Sequence, residues 1–235
     1  MLETRKISVC LISKGNRRNL DVSLESVSKQ TFNDYQITQY LSGEKNLGKT
    51  INQSIRESHS EYILILQEGD LLDPFFFEMC VSQLNSFSFL PNVEGIVTGW
   101  KKKKNFSFPR SSKKNNKGIL LFSMLQRNQI EPSTFLYRKR IHDEIGYYDE
   151  NLQHATLWEF YLRFLLQYEV GVIPKILVMI DGENETPLCK TELIGYLKRK
   201  NSSLASLIEI KNRLSQQNLW QLFRSNLKQL YYYLN

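Results

Sequence analysis

Residues Tyr62–Leu66 (YILIL) are five consecutive apolar positions, followed at once by Gln67-Glu68-Gly69-Asp70. The run is too short for a helix of its own and has the length of a strand buried on both faces. A strand of that kind must be covered on each side, which commits the chain to a layered α/β arrangement. The acidic turn lies at the carboxyl end of the strand, where an open α/β sheet offers a crevice to a ligand or a hard cation. Asp73-Pro74 then opens a helix whose apolar face is Phe76, Met79, Cys80 and Leu84.

The segments on either side fit such a sheet. Ile7–Ile12 is a short apolar strand, Ser13-Lys14-Gly15-Asn16 a turn, and Leu20, Leu24 and Val27 recur at helical spacing through Asn19–Gln30. Tyr35–Leu41 is a weaker strand, Ser42–Gly48 a loop and Lys49–Ser58 a helix. Strands are expected again at Val93–Trp100, Ser133–Tyr137 and Gly171–Ile180, the last at a sheet edge. Helices are expected at Ile119–Arg127, Arg138–Ile145 and Leu157–Tyr168. From Thr191 onward the pattern is helical only, with Leu204, Leu207, Leu214, Leu222, Leu230 and others at three- and four-residue intervals. The expected organisation is one α/β domain over residues 1–188 with a helical extension over 189–235. That extension reads as a cap packed on the domain. Alternatively it is a face for homo- or hetero-oligomers or a membrane surface, since Trp220 and Tyr231–Tyr233 add aromatics.

Composition narrows the class. A chain of 235 residues with 41% hydrophobic and 23% charged residues is neither disordered nor membrane-spanning. The amino-terminal MLETRKISVCLIS leads straight into a strand, so no signal peptide is expected. Cys10, Cys80 and Cys189 are far apart without metal-ligand spacing; reduced core thiols point to a cytoplasmic protein, peripheral to a membrane at most. Much of the net charge of +7 lies in residues 101–118, KKKKNFSFPRSSKKNNKG. This basic stretch reads as a mobile, solvated loop. The functional alternative is contact with an anionic membrane or polyanionic acceptor; nucleic acid is the least supported partner, for no recognition helix or zinc pattern accompanies the charge. His59, His142 and His154 are scattered and expected at the surface.

Gly43-Glu44-Lys45-Asn46-Leu47-Gly48-Lys49-Thr50 fits the phosphate-loop pattern G-x-x-x-x-G-K-[ST] of P-loop NTPases. Gly43 and Gly48 would let backbone N–H groups wrap phosphates, Lys49 would reach them and Thr50 would hold Mg²⁺. Against this, QITQYL is polar for the first strand of that fold, and Gln67 stands where an Asp should hold the magnesium.

A second resemblance is colinear over about residues 5–185. ISVCLISKGNRRNLDVSLESVSKQTFNDYQI resembles the opening of inverting family 2 glycosyltransferases, through Leu20, Leu24, Ser26, Val27, Gln30, Thr31, Phe32 and Tyr35. Asn46-Leu47-Gly48 with Asn52 and Ile55 is similar to the family's N-x-G helix. SEYILILQEGDLLDP resembles its metal-site stretch, and IEPSTFLYRKRIHDEIGYYDENL its acceptor-side segment. Trp158, Glu159, Leu162 and Arg163 fall where the family has its Asp-Trp-Asp-x-x-Leu-Arg helix.

The resemblance implies a GT-A-like fold, a Rossmann-like and mostly parallel sheet with helices on both faces. It implies a nucleotide-diphosphate sugar as donor, with Mn²⁺ or Mg²⁺ at a D-x-D carboxylate. Transfer would go with inversion to a glycan, lipid-linked or protein acceptor. Donor contacts are then expected from Ser13, Lys14, Gly15, Ser42, Asn46, Gly48, Lys49, Asn52 and Glu68, with Trp158 on the acceptor side, Glu159 as catalytic carboxylate and Asp70 as metal ligand. The chain departs from the family where chemistry is needed. The D-x-D register holds Gln67-Glu68-Gly69, the base position is Leu157, and the position of a late family His is Asp181. One residue along a helix turns a side chain by ~100°, so Glu159 does not inherit the base role by adjacency. Asp70 has a structural alternative as cap of the next helix, and Lys14 and Lys49 could meet a diphosphate without metal. A non-catalytic subunit that binds or stabilises an active partner is the rival function.

Overall fold

The computed structural model describes residues 5–41, 47–88, 92–102, 105–107, 120–121, 124, 128–182 and 187–200. The chain opens β1 (Ile7–Ser13), α1 (Arg17–Ser28), β2 (Tyr35–Leu41), α2 (Leu47–Glu57), β3 (Tyr62–Gln67). β1 lies between β2 and β3, parallel to both, so the first three strands share one direction. There follow β4 (Leu71–Leu72), α3 (Phe76–Ser86), β5 (Val93–Lys102), β6 (Asn105–Ser107), a 3₁₀ turn at Pro132–Thr134, β7 (Phe135–Arg138), α4 (Ile141–Ile145), α5 (Thr156–Gln167), β8 (Glu169–Met179) and α6 (Pro187–Lys200).

The sheet runs β2-β1-β3-β7-β5-β8-β4, with β6 hairpinned onto β5. β7 is antiparallel to both β3 and β5, and β8 is parallel to β5. Thus β1, β2, β3, β5 and β8 point one way, and their carboxyl ends form a common rim.

The period-two alternation of the strands sorts the core onto two faces. Cys10 and Ile12 of β1 with Ile63 and Ile65 of β3 face α2, α5 and α6. Ile7, Val9 and Leu11 with Tyr62, Leu64 and Leu66 face α1 and α3. All five residues Tyr62–Leu66 are at most 2% exposed, as an apolar run without polar alternation requires. On the α5 side the core is aromatic: Phe135 meets Tyr161 and Phe164 edge-on at 5.5 and 5.1 Å, and Tyr148 stacks on Phe160 at 4.0 Å.

Several expectations change. β8 is not an edge strand, because Leu71–Leu72 pairs with its last residues, Val178 and Met179. The basic 101–118 stretch does not begin as loop: Lys101 and Lys102 complete β5 and residues 105–107 return along it. Residues 103–104 and 108–118 lie outside the described residues. His142 is buried rather than on the surface. The helix expected at 119–127 is described only at Leu120, Leu121 and Met124, which are helical and buried. In α6, Cys189, Leu193 and Leu197 recur every four residues and join the α5-side core, so this much of the extension packs on the domain. Residues 201–235, including the apolar stripe, lie outside the described residues. No described helix is long and apolar enough to cross a membrane, and Cys10, Cys80 and Cys189 are buried and form no disulfide among the described residues.

Candidate functional site

The β1–α1 turn and the β3–β4 turn meet on the common rim. Helix α1 starts with Arg17 and Arg18 and has no acid in its first turn, an arrangement the helix dipole disfavours. Glu68 supplies the missing charge from the neighbouring turn. Its Oε2 accepts the Ser13 hydroxyl at 2.5 Å and the N–H groups of Lys14, Gly15 and Asn16 at 2.8, 3.0 and 3.2 Å. Gly15 reaches this cradle with φ +94°, and Asn16 caps the helix by accepting the Asn19 N–H. Ser13, Lys14, Gly15 and Glu68 are therefore brought together, and the nest of N–H groups is filled by the protein's own carboxylate. The Lys14 side chain is exposed beside it, as are Arg17 and Arg18.

Asp70 is placed differently from the metal ligand the resemblance implies. It has no exposed surface. One carboxylate oxygen accepts the Ser133 hydroxyl at 2.5 Å, and the other accepts the Asp181 N–H at 3.0 Å. Its backbone carbonyl accepts the Ser23 hydroxyl at 2.9 Å. Next to it Gly69 has φ +93°, and a Cβ there would lie 2.8 Å from Asp181 Oδ2, so the second D-x-D position has no room for an acid. Asp70 does not cap the next helix either: α3 has no side-chain cap, and Asp73 Oδ1 accepts the Phe75 N–H in the turn before it.

A divalent ion needs several free oxygen ligands around one point. Here Gln67 and Gly69 offer no carboxylate, Glu68 is occupied by four donors and Asp70 is enclosed. Among the described residues no three His, Cys, Asp or Glu side chains are grouped to hold a metal. Exposed Asp181 is the one further acid on this rim, so the described residues do not gather the ligand set that Mn²⁺ or Mg²⁺ needs.

Of the remaining expected residues, Asn52, Gly48, Trp158 and Glu159 are packed into the scaffold. Asn52 is 1% exposed. Its amide donates to the Tyr148 carbonyl and to Glu150 at 2.9 and 2.8 Å and accepts the Tyr148 N–H at 3.0 Å, fastening α2 to the 148–150 loop. Gly48 permits that approach, since a Cβ would sit 2.9 Å from the Asp149 carbonyl oxygen. It lies in the first turn of α2, which follows the edge strand β2; the rest of the phosphate-loop pattern, residues 43–46, lies outside the described residues. Lys49 is exposed; Ser42 and Asn46 lie outside the described residues. Trp158 is core, its indole N–H donating to the Met124 carbonyl at 2.6 Å. Glu159 is 5% exposed and grips Arg163 through two contacts of 2.6 and 2.8 Å. Arg163 in turn holds the carbonyls of Ile145 and Tyr147. Leu157, at the base position, is the partly exposed residue of that turn.

Asp181 and Asn19 are the rim residues that pattern reading undervalued. Asp181 is exposed just beyond β8, and the Asn19 amide donates to it at 3.1 Å. The available signal was position: an acid immediately after the closing strand falls on the rim.

Burial pushes the Asp70 carboxyl up to about 6 from 3.8, while Ser133 and the Asp181 N–H pull it back. Between these values the unfolded chain has lost the proton and the folded chain keeps it. Stability from this group therefore falls as pH rises from about 4 to about 6. His142 acts in the opposite sense: burial lowers its imidazole from 6.5 to about 4. The unfolded chain binds the proton that the folded chain does not, so stability rises with pH across nearly the same window. Asp70→Asn leaves only the histidine contribution. Its unfolding free energy should climb by about 2–3 kcal/mol between pH 4 and 6.5, where the wild type stays flatter, as measured by urea melts. Glu159→Gln should cost roughly 3 kcal/mol in the same assay, the scale for breaking a buried pair from one side.

No family model matches the chain. It is 26% identical over 221 residues to a Bacillus subtilis (strain 168) protein named "Uncharacterized glycosyltransferase YwdF", covering 83% of this chain and 82% of that one. Among solved structures it resembles S. aureus TarS, with TM-score 0.64 and 15% identity over 91% of this chain. The TarS 1-349 structure in complex with UDP gives the same TM-score at 13% identity, with 91% of this chain and 68% of that one covered. The complex with UDP-GlcNAc gives 0.56 at 14%, with 77% and 60% covered. The chain spans 44% of the first TarS structure's length. At these identities the solved structures show the fold: an α/β protein with the TarS-like sheet, whose curated relative bears a glycosyltransferase name.

Proposed function

We propose that this protein is a nucleotide-sugar-dependent glycosyltransferase of the GT-A-like, family 2 type. The observation that carries the proposal is the rim at Ser13–Asn16, Glu68 and Asp181, in a fold whose TarS examples are seen with UDP and UDP-GlcNAc. The donor lies over the carboxyl ends of β1 and β3. With no cluster of carboxylates for a cation among the described residues, its diphosphate meets exposed Lys14 and Arg17, with Lys49 in the first turn of α2. A glycan, lipid-linked or protein hydroxyl then displaces the diphosphate with inversion, as the resemblance implies. The proton acceptor for that hydroxyl is not Glu159, which stays bound to Arg163.

The clamped Glu159 and enclosed Asp70 favour one second reading, a donor-binding subunit without turnover that supports an active partner. Calorimetric titration with UDP-, GDP- and dTDP-sugars tests the shared step. One donor should bind with the same affinity, within about twofold, with and without Mn²⁺, and Lys14→Ala should weaken it about tenfold. Binding by no donor overturns the proposal, and so does binding only with Mn²⁺. Release of sugar from the bound donor, or its transfer to an acceptor glycan, identifies the enzyme. Binding without turnover identifies the subunit. Preference for ATP or GTP with Mg²⁺ returns the phosphate-loop reading.

A further inference from the structure

The two ends of the sheet are finished differently. Along β8, ahead of the residues that pair with β4, Pro174 and Lys175 are exposed and fall out of register between Ile173 and Ile176. A proline, an exposed lysine and a bulge are devices that stop an edge strand from pairing with another chain. β2, at the other end, carries none of them. Its seven residues, Tyr35-Gln36-Ile37-Thr38-Gln39-Tyr40-Leu41, hold no charge, no proline and no glycine. They match β1 one-to-one, from Ile7 opposite Tyr35 to Ser13 opposite Leu41. Among the described residues β2 pairs with β1 alone, and no backbone hydrogen bond reaches its other side. None of the seven is buried, whereas every residue of β1 is. Leu41 is 76% exposed, the highest value for a large apolar side chain among the described residues. A regular, β-rich strand of that length with open N–H and C=O groups is a template for one further strand.

The sequence of β2 also selects what pairs with it. A two-fold axis normal to the sheet sets the strand antiparallel to its own copy. The register that engages all seven residues is centred on Thr38. Thr38 then faces Thr38 of the second copy, Ile37 faces Gln39, Gln36 faces Tyr40 and Leu41 faces Tyr35. Such a pairing brings each residue near its own copy, and like charges across a strand pair are destabilising. In a chain of net charge +7, a charge-free edge is what self-pairing requires. Thr–Thr contacts stabilise strand pairs, and the exposed Leu41 gains an aromatic ring as cover. Each molecule offers one such edge, because the β8 edge is blocked, so association closes at two copies.

We infer that β2 is a dimerisation edge: a second copy of this chain adds its β2 antiparallel, and the two sheets continue as one. The inference is independent of the donor reading. The Leu41 end of β2 lies on the donor rim, so the two-fold sets the two rims on opposite sides of the joined sheet. A single strand pair buries less than the ~1,600 Å² of a standard interface, so the dimer dissociates at roughly micromolar concentration.

The test is sedimentation velocity of the full chain from about 1 to 200 μM. Monomer should pass to dimer with no larger species. Gln39 is exposed and, in this register, lies diagonally across the axis from its own copy, about 7–8 Å away. Gln39→Lys and Gln39→Glu should each weaken the dimer about tenfold, with urea melts like the wild type's. An equal mixture of the two variants should restore it, because opposite charges then meet across the axis. Met179→Lys, at the other end of the sheet, should leave the dimer unchanged. A monomer at every concentration overturns the proposal. So does a dimer that neither Gln39 variant weakens, that the mixture does not restore, or that Met179→Lys weakens as much.

Discussion

The buried carboxylate of Asp70 joins the parts of the rim that are remote in sequence. It takes the Ser133 hydroxyl from the turn entering β7 and the Asp181 N–H from the end of β8, while its own carbonyl takes Ser23 of α1. Three segments are thereby fastened to the turn after β3. A carboxylate inside a protein is stable only when its oxygens are satisfied, and these are. The arrangement still leaves a residual penalty, visible as the raised pKa.

From that fastening the rest of the rim follows. With Asp70 drawn inward, Gly69 passes against Asp181 and only glycine fits. Glu68 is then directed across to α1, where it meets the Lys14, Gly15 and Asn16 N–H groups. Helix α1 begins with two arginines, so this carboxylate balances both the dipole and their charge. The acids of the turn are consumed in building it, and Lys14, Arg17 and Arg18 face outward on a rim where Asp181 is also exposed. That is the physical basis for a donor site that meets a diphosphate with lysine and arginine.

Much of the scaffold was legible because strands β1, β2 and β3 are short, bounded by polar turns and, in β1 and β3, apolar without interruption. Their period-two sorting onto two core faces needs no tertiary knowledge. The two-residue β4 was not legible, since Leu71-Leu72 becomes a strand only by pairing with Val178 and Met179. His142 read as a surface residue because nothing local shows that Phe160 and Tyr147 will stack on it. The site divided in the same way. Ser13, Lys14, Gly15 and Glu68 lie on turns at the carboxyl ends of β1 and β3, a position readable from the strand pattern, and the fold brings them into contact. Asp70 and Glu159 could not be placed from pattern alone: Ser133 and Asp181 reach Asp70 through the fold, and Arg163, four residues on in the same helix, holds Glu159 only because the fold brings it the Ile145 and Tyr147 carbonyls as well. Asn52 looked like a ligand contact and is a fastener for the 148–150 loop, a distinction that only the facing backbone decides.

The central claim, that Asp70 is an enclosed structural carboxylate and not a cation ligand, is tested most directly by following its side-chain carboxyl carbon by NMR as a function of pH, with and without Mn²⁺. The account predicts a midpoint near 6 and a signal that Mn²⁺ leaves sharp. A midpoint at the ordinary aspartate value of about 3.9, or selective broadening of the Asp70 signal by Mn²⁺, would contradict it.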